Sequence, residues 1–423
     1  MRHGHVRRES LLYVVVVATR PRYCGVFVIA ALWLTGAMFG QSEAAAAQKT
    51  RKKPPAPPFA ALFPLEAAWA LTLPSTPAAP AARDAMRVYV PLTSNALVAL
   101  DWERGGTLWS VPLSASAAPL PAEGTLYVAT GDDLHALDAA TGATRWTNHA
   151  ERSLRILVRS ESRIIGLGSG LAQAFDAASG RMEWTQLFPD AGDPVGAVIA
   201  GGALFVVFDT GRVTRLALAD GHAEWTQTIT GRPSPPLVVK DSIYVGSTDK
   251  RFYALDARNG KPRWTWRTGG HVTGAAAAAD AKAVFYTSLD AVVRAVNPGN
   301  GHQRWKRDAG TRAPVGPIAL DGSVLVTGLS PTLSAFDPLS GTPLGSLPLP
   351  GEVYGTPLVT DVLTPRRVAM VVILRDGRVY GLRALTLQFN EAAPQPLAAL
   401  PGQALARERL PAPPVTAPSG TGR

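Results

Sequence analysis

A turn motif that recurs roughly every 40 residues restricts this chain to a repeat architecture. In its cleanest copy, IYVGSTDKRFYALDARNGKPRW, two short β-type runs precede an Asp, a Gly four residues later and a Trp four residues after that. The runs, residues 243–246 and 252–255, are rich in β-branched and aromatic residues, which favours a hairpin. The Asp carboxylate can accept backbone N–H groups in the turn that follows, and the Gly supplies a positive φ. Because strand side chains alternate, the Trp reaches one defined face of the next strand.

Four copies keep all three residues of the motif, and unrelated turns would not repeat this spacing. They are Asp101/Gly105/Trp109, Asp138/Gly142/Trp146, Asp176/Gly180/Trp184 and Asp256/Gly260/Trp264. Three further copies are altered: Ala217/Gly221/Trp225 lacks the Asp, Asn297/Gly301/Trp305 carries an amide, and Asp337/Gly341 has Gly345 where the Trp is expected. An eighth hairpin, residues 369–374 and 378–382, is not followed by a Gly or a Trp at this spacing.

The strand that the eighth unit lacks is found at the other end of the repeat region. Trp69 lies in a strand-like run, residues 65–71, one repeat length before Trp109 and with no hairpin in front of it. A ring closed by pairing this strand with the last blade would remove the exposed sheet edges. The sequence therefore predicts an all-β fold, a single eight-bladed β-propeller of four-stranded blades closed by an N-terminal strand around Trp69.

The Trp series has two interpretations. Stacking on a flat quinone cofactor is disfavoured, because one Trp in every blade cannot face a single ligand, whereas all of them can fill the wedges between blades. We therefore assign a structural inter-blade role to Trp69, Trp109, Trp146, Trp184, Trp225, Trp264 and Trp305. A turn role is assigned to Asp101, Gly105, Asp138, Gly142, Asp176, Gly180, Asp256 and Gly260.

Composition divides the chain outside the repeats. Residues 1–47 join a basic start to an apolar run and small residues, which is typical of an export signal or a signal anchor. Residues 48–62 form a basic, Pro-rich linker, the propeller is expected over 63–387, and residues 388–423 are a Pro/Ala-rich tail predicted to be disordered. We expect the propeller in the periplasm or cell envelope, with the signal cleaved or retained as an inner-membrane anchor.

Several classes of site are disfavoured by the residues present. The net charge of +10 comes mainly from the segments outside the propeller, so the propeller is not an evident nucleic-acid surface. The single cysteine, Cys24, opens the apolar run, where an acylated lipoprotein cysteine would not lie. The His residues show no metal-ligand spacing, and the GLGSG run at 166–170 lacks the G-x-S-x-G order of hydrolases. We expect no catalytic residues, no metal and no cofactor.

The A-L-D-x3-G-x3-W copies at Asp101, Asp138 and Asp256 resemble the pyrroloquinoline-quinone propeller repeat. This repeat is shared by quinoprotein alcohol dehydrogenases and by the BamB family of outer-membrane assembly lipoproteins. The resemblance covers about residues 63–386, and the layout is more similar to BamB, with one eight-bladed domain, a closing strand and a final D-G-x-V-Y hairpin at 376–380. The chain departs from BamB because no lipobox cysteine follows the apolar run. It departs from the dehydrogenases because they are longer and use an adjacent-cysteine disulfide and a calcium-bound quinone.

The resemblance implies a non-catalytic, monomeric scaffold that binds protein partners such as the outer-membrane barrel assembly machinery. It also implies attachment to a membrane only through the N-terminal segment or a partner. In the family, the loops from blade three to four and from four to five meet the partner. They correspond here to residues 187–195 and 228–236, which makes Leu187, Phe188, Asp190, Asp193 and Arg232 candidate contacts. Two alternatives stay open: a quinoprotein-type oxidoreductase with a carboxylate base and metal ligands on the axis, and a small-ligand sensor that uses the axial funnel.

Overall fold

The computed structural model describes residues 62–385, apart from positions 321, 361–363 and 365. This part of the chain contains strands and turns and no helix, and hence no helix that could cross a membrane. The predicted export segment (1–47), nearly all of the predicted linker (48–62) and the predicted tail (388–423) lie outside the described residues.

The strands form eight antiparallel sheets, one per blade, numbered here in chain order. The first half of the chain contributes β1 (Leu65–Thr72) to blade eight; β2 (Ala82–Arg83), β3 (Arg87–Leu92), β4 (Ala96–Asp101) and β5 (Thr107–Val111) to blade one; β6 (Leu120–Ala122), β7 (Thr125–Thr130), β8 (Asp133–Asp138) and β9 (Thr144–His149) to blade two; β10 (Leu154–Ser160), β11 (Arg163–Gly168), β12 (Leu171–Asp176) and β13 (Met182–Leu187) to blade three; and β14 (Pro194–Ala200), β15 (Ala203–Phe208), β16 (Arg212–Ala217) and β17 (Ala223–Thr228) to blade four.

The second half completes the ring. It contributes β18 (Leu237–Val239), β19 (Ser242–Gly246), β20 (Arg251–Asp256) and β21 (Pro262–Arg267) to blade five; β22 (Val284–Ser288), β23 (Val292–Val296) and β24 (Gln303–Asp308) to blade six; β25 (Ile318–Leu320), β26 (Ser323–Thr327), β27 (Thr332–Phe336) and β28 (Pro343–Pro348) to blade seven; and β29 (Leu358–Val359), β30 (Val368–Ile373) and β31 (Arg378–Ala384) to blade eight. The predicted fold class, an eight-bladed β-propeller, is confirmed.

Closure of the ring follows the predicted scheme. The sheet order of blade eight is β1-β31-β30-β29, so the N-terminal strand is its outermost strand. Its register runs from Leu65 opposite Ala384 to Thr72 opposite Arg378. Arg383 Nε donates to Glu66 Oε1 at 2.7 Å across the same strand pair.

Blade six departs from the predicted four strands, because its sheet contains only three. In place of the innermost strand, a single bridge pairs Ala277 with Phe285 through hydrogen bonds of 2.9 and 2.8 Å. The local sequence, GAAAAAD, has a low β propensity because it lacks β-branched and aromatic side chains. Gly274 here approaches the backbone of Gly316 so closely that neither position has room for a Cβ.

The core lies between the blades. The second strand of each blade is covered on both faces by the neighbouring blades and is buried along nearly its whole length; all six residues of β15, for example, are buried. The third strands also contain half-buried positions, as in β8 and β16. The outermost strands alternate between partly buried and exposed positions, as in β21. The outer strands therefore carry the inter-blade contacts on one face and the solvent-facing residues on the other.

The ring has two ends that differ in their loops. We call the end that carries the hairpins between second and third strands, together with the loops entering the next blade, the hairpin face. Loop and hairpin are joined by backbone hydrogen bonds, such as Phe188 N to Gly170 O at 2.8 Å and Ile229 N to Gly211 O at 2.9 Å. The opposite end, the turn face, carries the Asp-x3-Gly turns.

Candidate functional site

Each of the seven motif Trp residues contacts the turn of the following blade. Trp146 in blade two donates a hydrogen bond from Nε1 to the carbonyl of Ala177 in blade three at 3.2 Å, and its ring covers Gly180. Gly180 has a φ of 74°, and an added Cβ would overlap the ring, so both conformation and space require glycine. The same two contacts, to a carbonyl and a Gly, are made by Trp69 with Trp102 and Gly105, Trp109 with Ala139 and Gly142, Trp184 with Leu218 and Gly221, Trp225 with Ala257 and Gly260, Trp264 with Pro298 and Gly301, and Trp305 with Pro338 and Gly341.

The Asp of the motif holds the turn closed. Asp138 Oδ1 accepts the N–H of Thr141 at 3.0 Å, and Gly142 N donates to the Asp138 carbonyl at 2.8 Å. Hydrogen bonds from Arg145, at 2.7 Å, and from Thr141 lower the pKa of Asp138 to about 2. The Oδ1 contact recurs at Asp101 with the N–H of Arg104, at Asp176 with Ser179 and at Asp256 with Arg258. The pKa is also lowered at Asp176, mainly by Ser179, and at Asp256, mainly by Arg263.

The way in which the ring closes explains why Gly345 stands where the motif Trp is expected. A Trp in blade seven would cover the Asp-Gly turn of blade eight, but blade eight has no such turn because its outer strand comes from the start of the ring. Phe63, just before β1, is 6% exposed and takes this space, with its Cδ1 3.0 Å from where a Cβ of Gly345 would lie. The altered seventh copy therefore has a structural cause.

One structural residue at the closure was missed by the sequence reasoning. Trp102, in the turn of blade one, is 4% exposed and donates from Nε1 to the Val368 carbonyl of blade eight at 2.9 Å. Val368 N in turn donates to Glu103 Oε2 at 3.2 Å. The available signal was a Trp directly after the motif Asp, where the other copies carry Ala, Leu or Pro.

Four of the five candidate partner contacts lie on the hairpin face. Leu187 is 50% exposed at the end of β13, and Asp190 and Arg232 are exposed in the loops that follow blades three and four. Asp193 is partly exposed and forms a 3.0 Å ion pair with Arg155 Nη1. Residues 187–192 also form one wall of a cavity of about 360 Å³, whose other wall includes Arg152, Ser169 and Gly170. These side chains form a surface with an apolar centre and charged neighbours.

Phe188 is a correction to that set. It is 5% exposed, and its ring packs against Phe208 with a centroid separation of 5.4 Å in the core between blades three and four. Leu187 ends the strand facing solvent, so the next side chain points inward. Phe188 therefore anchors the loop to the core between blades three and four and is not available to a partner.

A larger cavity, of about 590 Å³, opens where the innermost strands of blades one to four begin. Its only charged lining side chain is Arg155, which is already paired with Asp193. The remaining lining residues are small or apolar: Pro80, Ser116, Ala117, Ala118, Pro119, Ser153, Ile156, Leu157, Pro194 and Val195. In a propeller the innermost strands surround the central channel, so this cavity is the axial funnel on the hairpin face.

The axial funnel does not fit a metal-bound quinone. No carboxylate lines it to hold a cation, and the hydroxyl of Ser116 already donates to the Leu154 carbonyl at 2.9 Å. Within the described residues, no three His, Cys, Asp or Glu side chains come together to bind a metal ion. The donor set that the quinoprotein alternative requires is therefore not found at the funnel.

Comparison with known proteins places this geometry in a family. The family model described as outer membrane protein assembly factor BamB matches residues 66–170, 168–307 and 289–389, which together span the ring. The chain belongs to the BamB family. Among solved structures, BamB from Moraxella catarrhalis superposes with a TM-score of 0.60 at 17% identity, covering 78% of this chain and 99% of that one. The BamB fold is thus shared over the described propeller.

Individual relatives of this BamB-family chain are distant. BamB from Moranella endobia (strain PCIT) is 26% identical over 199 residues, 42% of this chain and 51% of the relative. The kinase AfsK from Streptomyces griseus is 27% identical over 274 residues, 58% of this chain and 33% of AfsK. The chain thus spans about half the length of the BamB relative and a third of AfsK. The quinohemoprotein alcohol dehydrogenase ADHIIG from Pseudomonas putida HK5 superposes with a TM-score of 0.59 at 13% identity, with 78% of each chain covered, and shares the fold.

Proposed function

We propose that this BamB-family propeller is a non-catalytic scaffold that binds protein partners in the cell envelope and takes part in outer-membrane protein assembly. The observation that carries the proposal is the family match over residues 66–389, which includes every blade. Relatives from Moranella endobia and Alkalilimnicola ehrlichii are both described as outer membrane protein assembly factors. A scaffold of this kind needs a rigid ring and accessible loops.

The hairpin-face loops after blades three and four are the proposed partner surface. Leu187 offers an exposed apolar side chain beside the charged groups of Asp190, Asp193 and Arg232. A small apolar centre with a polar rim is the usual anatomy of a protein interface. The loops are anchored to their hairpins by backbone hydrogen bonds, so little ordering is needed on binding.

The test is an equilibrium binding measurement between the purified protein and purified barrel-assembly machinery. We expect Leu187→Ala and Arg232→Glu each to weaken binding roughly tenfold, as is typical of central interface side chains. Leu108→Ala and Arg181→Glu are matched controls, since Leu108 is 48% exposed on the outer strand of blade one and Arg181 is exposed on the turn face. Equal affinities for all four variants, or no binding at all, would reject the proposed surface.

The proposed role also requires export. The segment 1–47 is proposed as a signal that is cleaved or retained as an inner-membrane anchor. Cell fractionation and determination of the mature N-terminus distinguish these two forms. Full-length protein found in the cytosol with residues 1–47 attached would rule out the envelope role.

A second candidate, small-ligand binding, is favoured by the axial funnel. Its volume of about 590 Å³ falls in the range of small-molecule pockets, and polar and apolar groups both line it. Adding quinone and calcium to the purified protein tests the related oxidoreductase alternative. We expect neither a bound chromophore nor dye reduction, and stoichiometric quinone with turnover would overturn the scaffold proposal.

A further inference from the structure

The outer strand of blade six carries a cation at a position that every other blade fills with a small residue. Lys306 on β24 pairs across the sheet with Arg294 on β23. The equivalent outer-strand residues, read from the register of the other seven blades, are Ala70, Ser110, Thr147, Thr185, Thr226, Thr265 and Ser346. A cation at this outer-strand position is therefore particular to blade six.

Arg304, on the same strand as Lys306, lacks the acidic partner that the equivalent Arg has in two other blades. The residue just before the motif Trp is Arg145 in blade two and Arg263 in blade five, and each pairs with the Asp of its own turn, at 2.7 and 2.6 Å. In blade six the corresponding residue is Arg304, but the turn carries Asn297 instead of Asp. In the described part of the chain, Arg304 and Lys306 form no ion pair, and both are exposed. The charge of Arg294 is already matched by Asp290 at 2.7 Å.

We use the term groove for the exposed surface between the outer strands of blades five and six, and Arg304 and Lys306 lie on its blade-six side. Trp305 between them contacts blade seven, so its two neighbours point back toward blade five. On the blade-five side, Trp266 shares a strand face with Trp264, the residue that contacts blade six, so Trp266 is also directed toward blade six. Farther along the same face of β24 stands one carboxylate, Asp308, which accepts the N–H of Gly310 at 2.8 Å.

We propose that this groove binds an extended acidic segment of a partner protein. Side chains two residues apart on a strand are roughly 7 Å apart, and an extended peptide repeats its own side chains at the same interval. Carboxylates at alternate positions of such a segment therefore reach Arg304 and Lys306 together, and Trp266 offers an apolar surface to a residue beside them. Charge-assisted hydrogen bonds from Arg and Lys to carboxylates are the stronger class of polar contact. The groove lies on the perimeter of the ring, so it is separate from the hairpin-face loops and its occupancy does not depend on them.

The test measures binding of a fluorescent peptide to the full-length protein by anisotropy. The probe is a short extended peptide with Glu at alternate positions and one Phe, compared with the same peptide carrying Gln for Glu. Lys306→Thr restores the residue type of the other blades, and Arg304→Gln removes the second charge while keeping a polar side chain. Arg307→Glu is the matched control, because Arg307 is the next residue on the strand and faces blade seven, where it donates to Ser340 O at 2.8 Å.

We expect Lys306→Thr and Arg304→Gln each to weaken binding of the Glu peptide roughly tenfold without lowering the thermal midpoint, since each loses one charge-assisted contact. We expect Arg307→Glu to bind as the unmodified protein does, and the Gln peptide not to bind. Equal binding by all variants, no binding by the unmodified protein, or preferential binding of anionic phospholipid vesicles over the Glu peptide would each overturn the assignment.

Discussion

At the residue scale, the motif Trp makes two contacts at once. Its flat ring covers a glycine turn that has no room for a Cβ, and its N–H satisfies a carbonyl of the same turn in the next blade. Both contacts cross between blades, so each indole couples two sheets that share no backbone ladder.

Truncation of one such Trp should cost a large fraction of the stability. Trp305 is 5% exposed, so we expect Trp305→Ala to lower the free energy of unfolding by about 3–5 kcal/mol, the range for truncating a buried large aromatic side chain. Trp305→Phe keeps most of the packing and loses the hydrogen bond to Pro338, which should cost about 1 kcal/mol from that bond alone. Chemical denaturation measures both, with the exposed Leu108→Ala as control. A midpoint for Trp305→Ala equal to that of Leu108→Ala would show that the indole is not a structural wedge.

The turn carboxylates predict a dependence of stability on pH. The pKa of Asp138 in the folded state is about 2, below its ordinary value of 3.8. A carboxylate whose pKa is lower in the folded than in the unfolded protein stabilises the folded state at pH values above 3.8. This contribution is lost as the pH falls toward 2. We expect the stability difference between the unmodified protein and Asp138→Asn to be present at neutral pH and to shrink between pH 3.8 and about 2. A difference that stays constant over this range would contradict the role of the charge.

At the scale of elements, the most informative one is β1. It supplies the outer strand of blade eight, brings Trp69 to the turn of blade one, and lies opposite Gly381, where an added Cβ would overlap the Trp69 ring. Trp102 and Glu103 add contacts from blade one to Val368 of blade eight. The closure thus depends on side chains from both ends of the ring.

Gly381→Val should weaken the pairing of β1 with β31 and leave the other blades folded. The added side chain forces Trp69 away from its position, so we expect faster hydrogen exchange at the β1 amides than in the unmodified protein, while β19 and β20 of blade five remain protected. Mass spectrometry of deuterated peptides resolves the two regions. Exchange that rises equally in blade five, or that does not change in β1, would argue against an independent closing element.

How much the sequence could predict depends on where the signal lies. The blade count and the closing strand followed from single residues with strict spacing, because the Asp, Gly and Trp make contacts that each blade must repeat. The innermost strands carry no such motif, and in blade six an Ala-rich segment reduced that strand to a bridge at Ala277. No sequence pattern indicated the path of the loop after β13 either. Phe188 was therefore assigned to the surface although it is buried. The axial funnel is formed by residues from four blades, and no local pattern brings Pro80 and Arg155 together.

At the scale of the whole molecule, the two ends of the ring differ in the side chains that they carry. The turn face is occupied by the repeated Asp-Gly turns, which are engaged in holding neighbouring blades together. The hairpin face carries the funnel, the exposed Leu187 and the charged loop residues. The proposed scaffold role therefore uses the face that does not carry the repeated Asp-Gly turn contacts.

The most direct test of this account is a hydrogen–deuterium exchange footprint of the protein in the presence of purified barrel-assembly machinery. We predict protection concentrated in residues 187–193 and 229–236, because these loops carry the proposed contacts on the hairpin face, with the Asp-Gly turns unchanged. Protection confined to the turn face, or an exchange pattern identical with and without the machinery, would contradict the proposal that this propeller is a scaffold acting through its hairpin face.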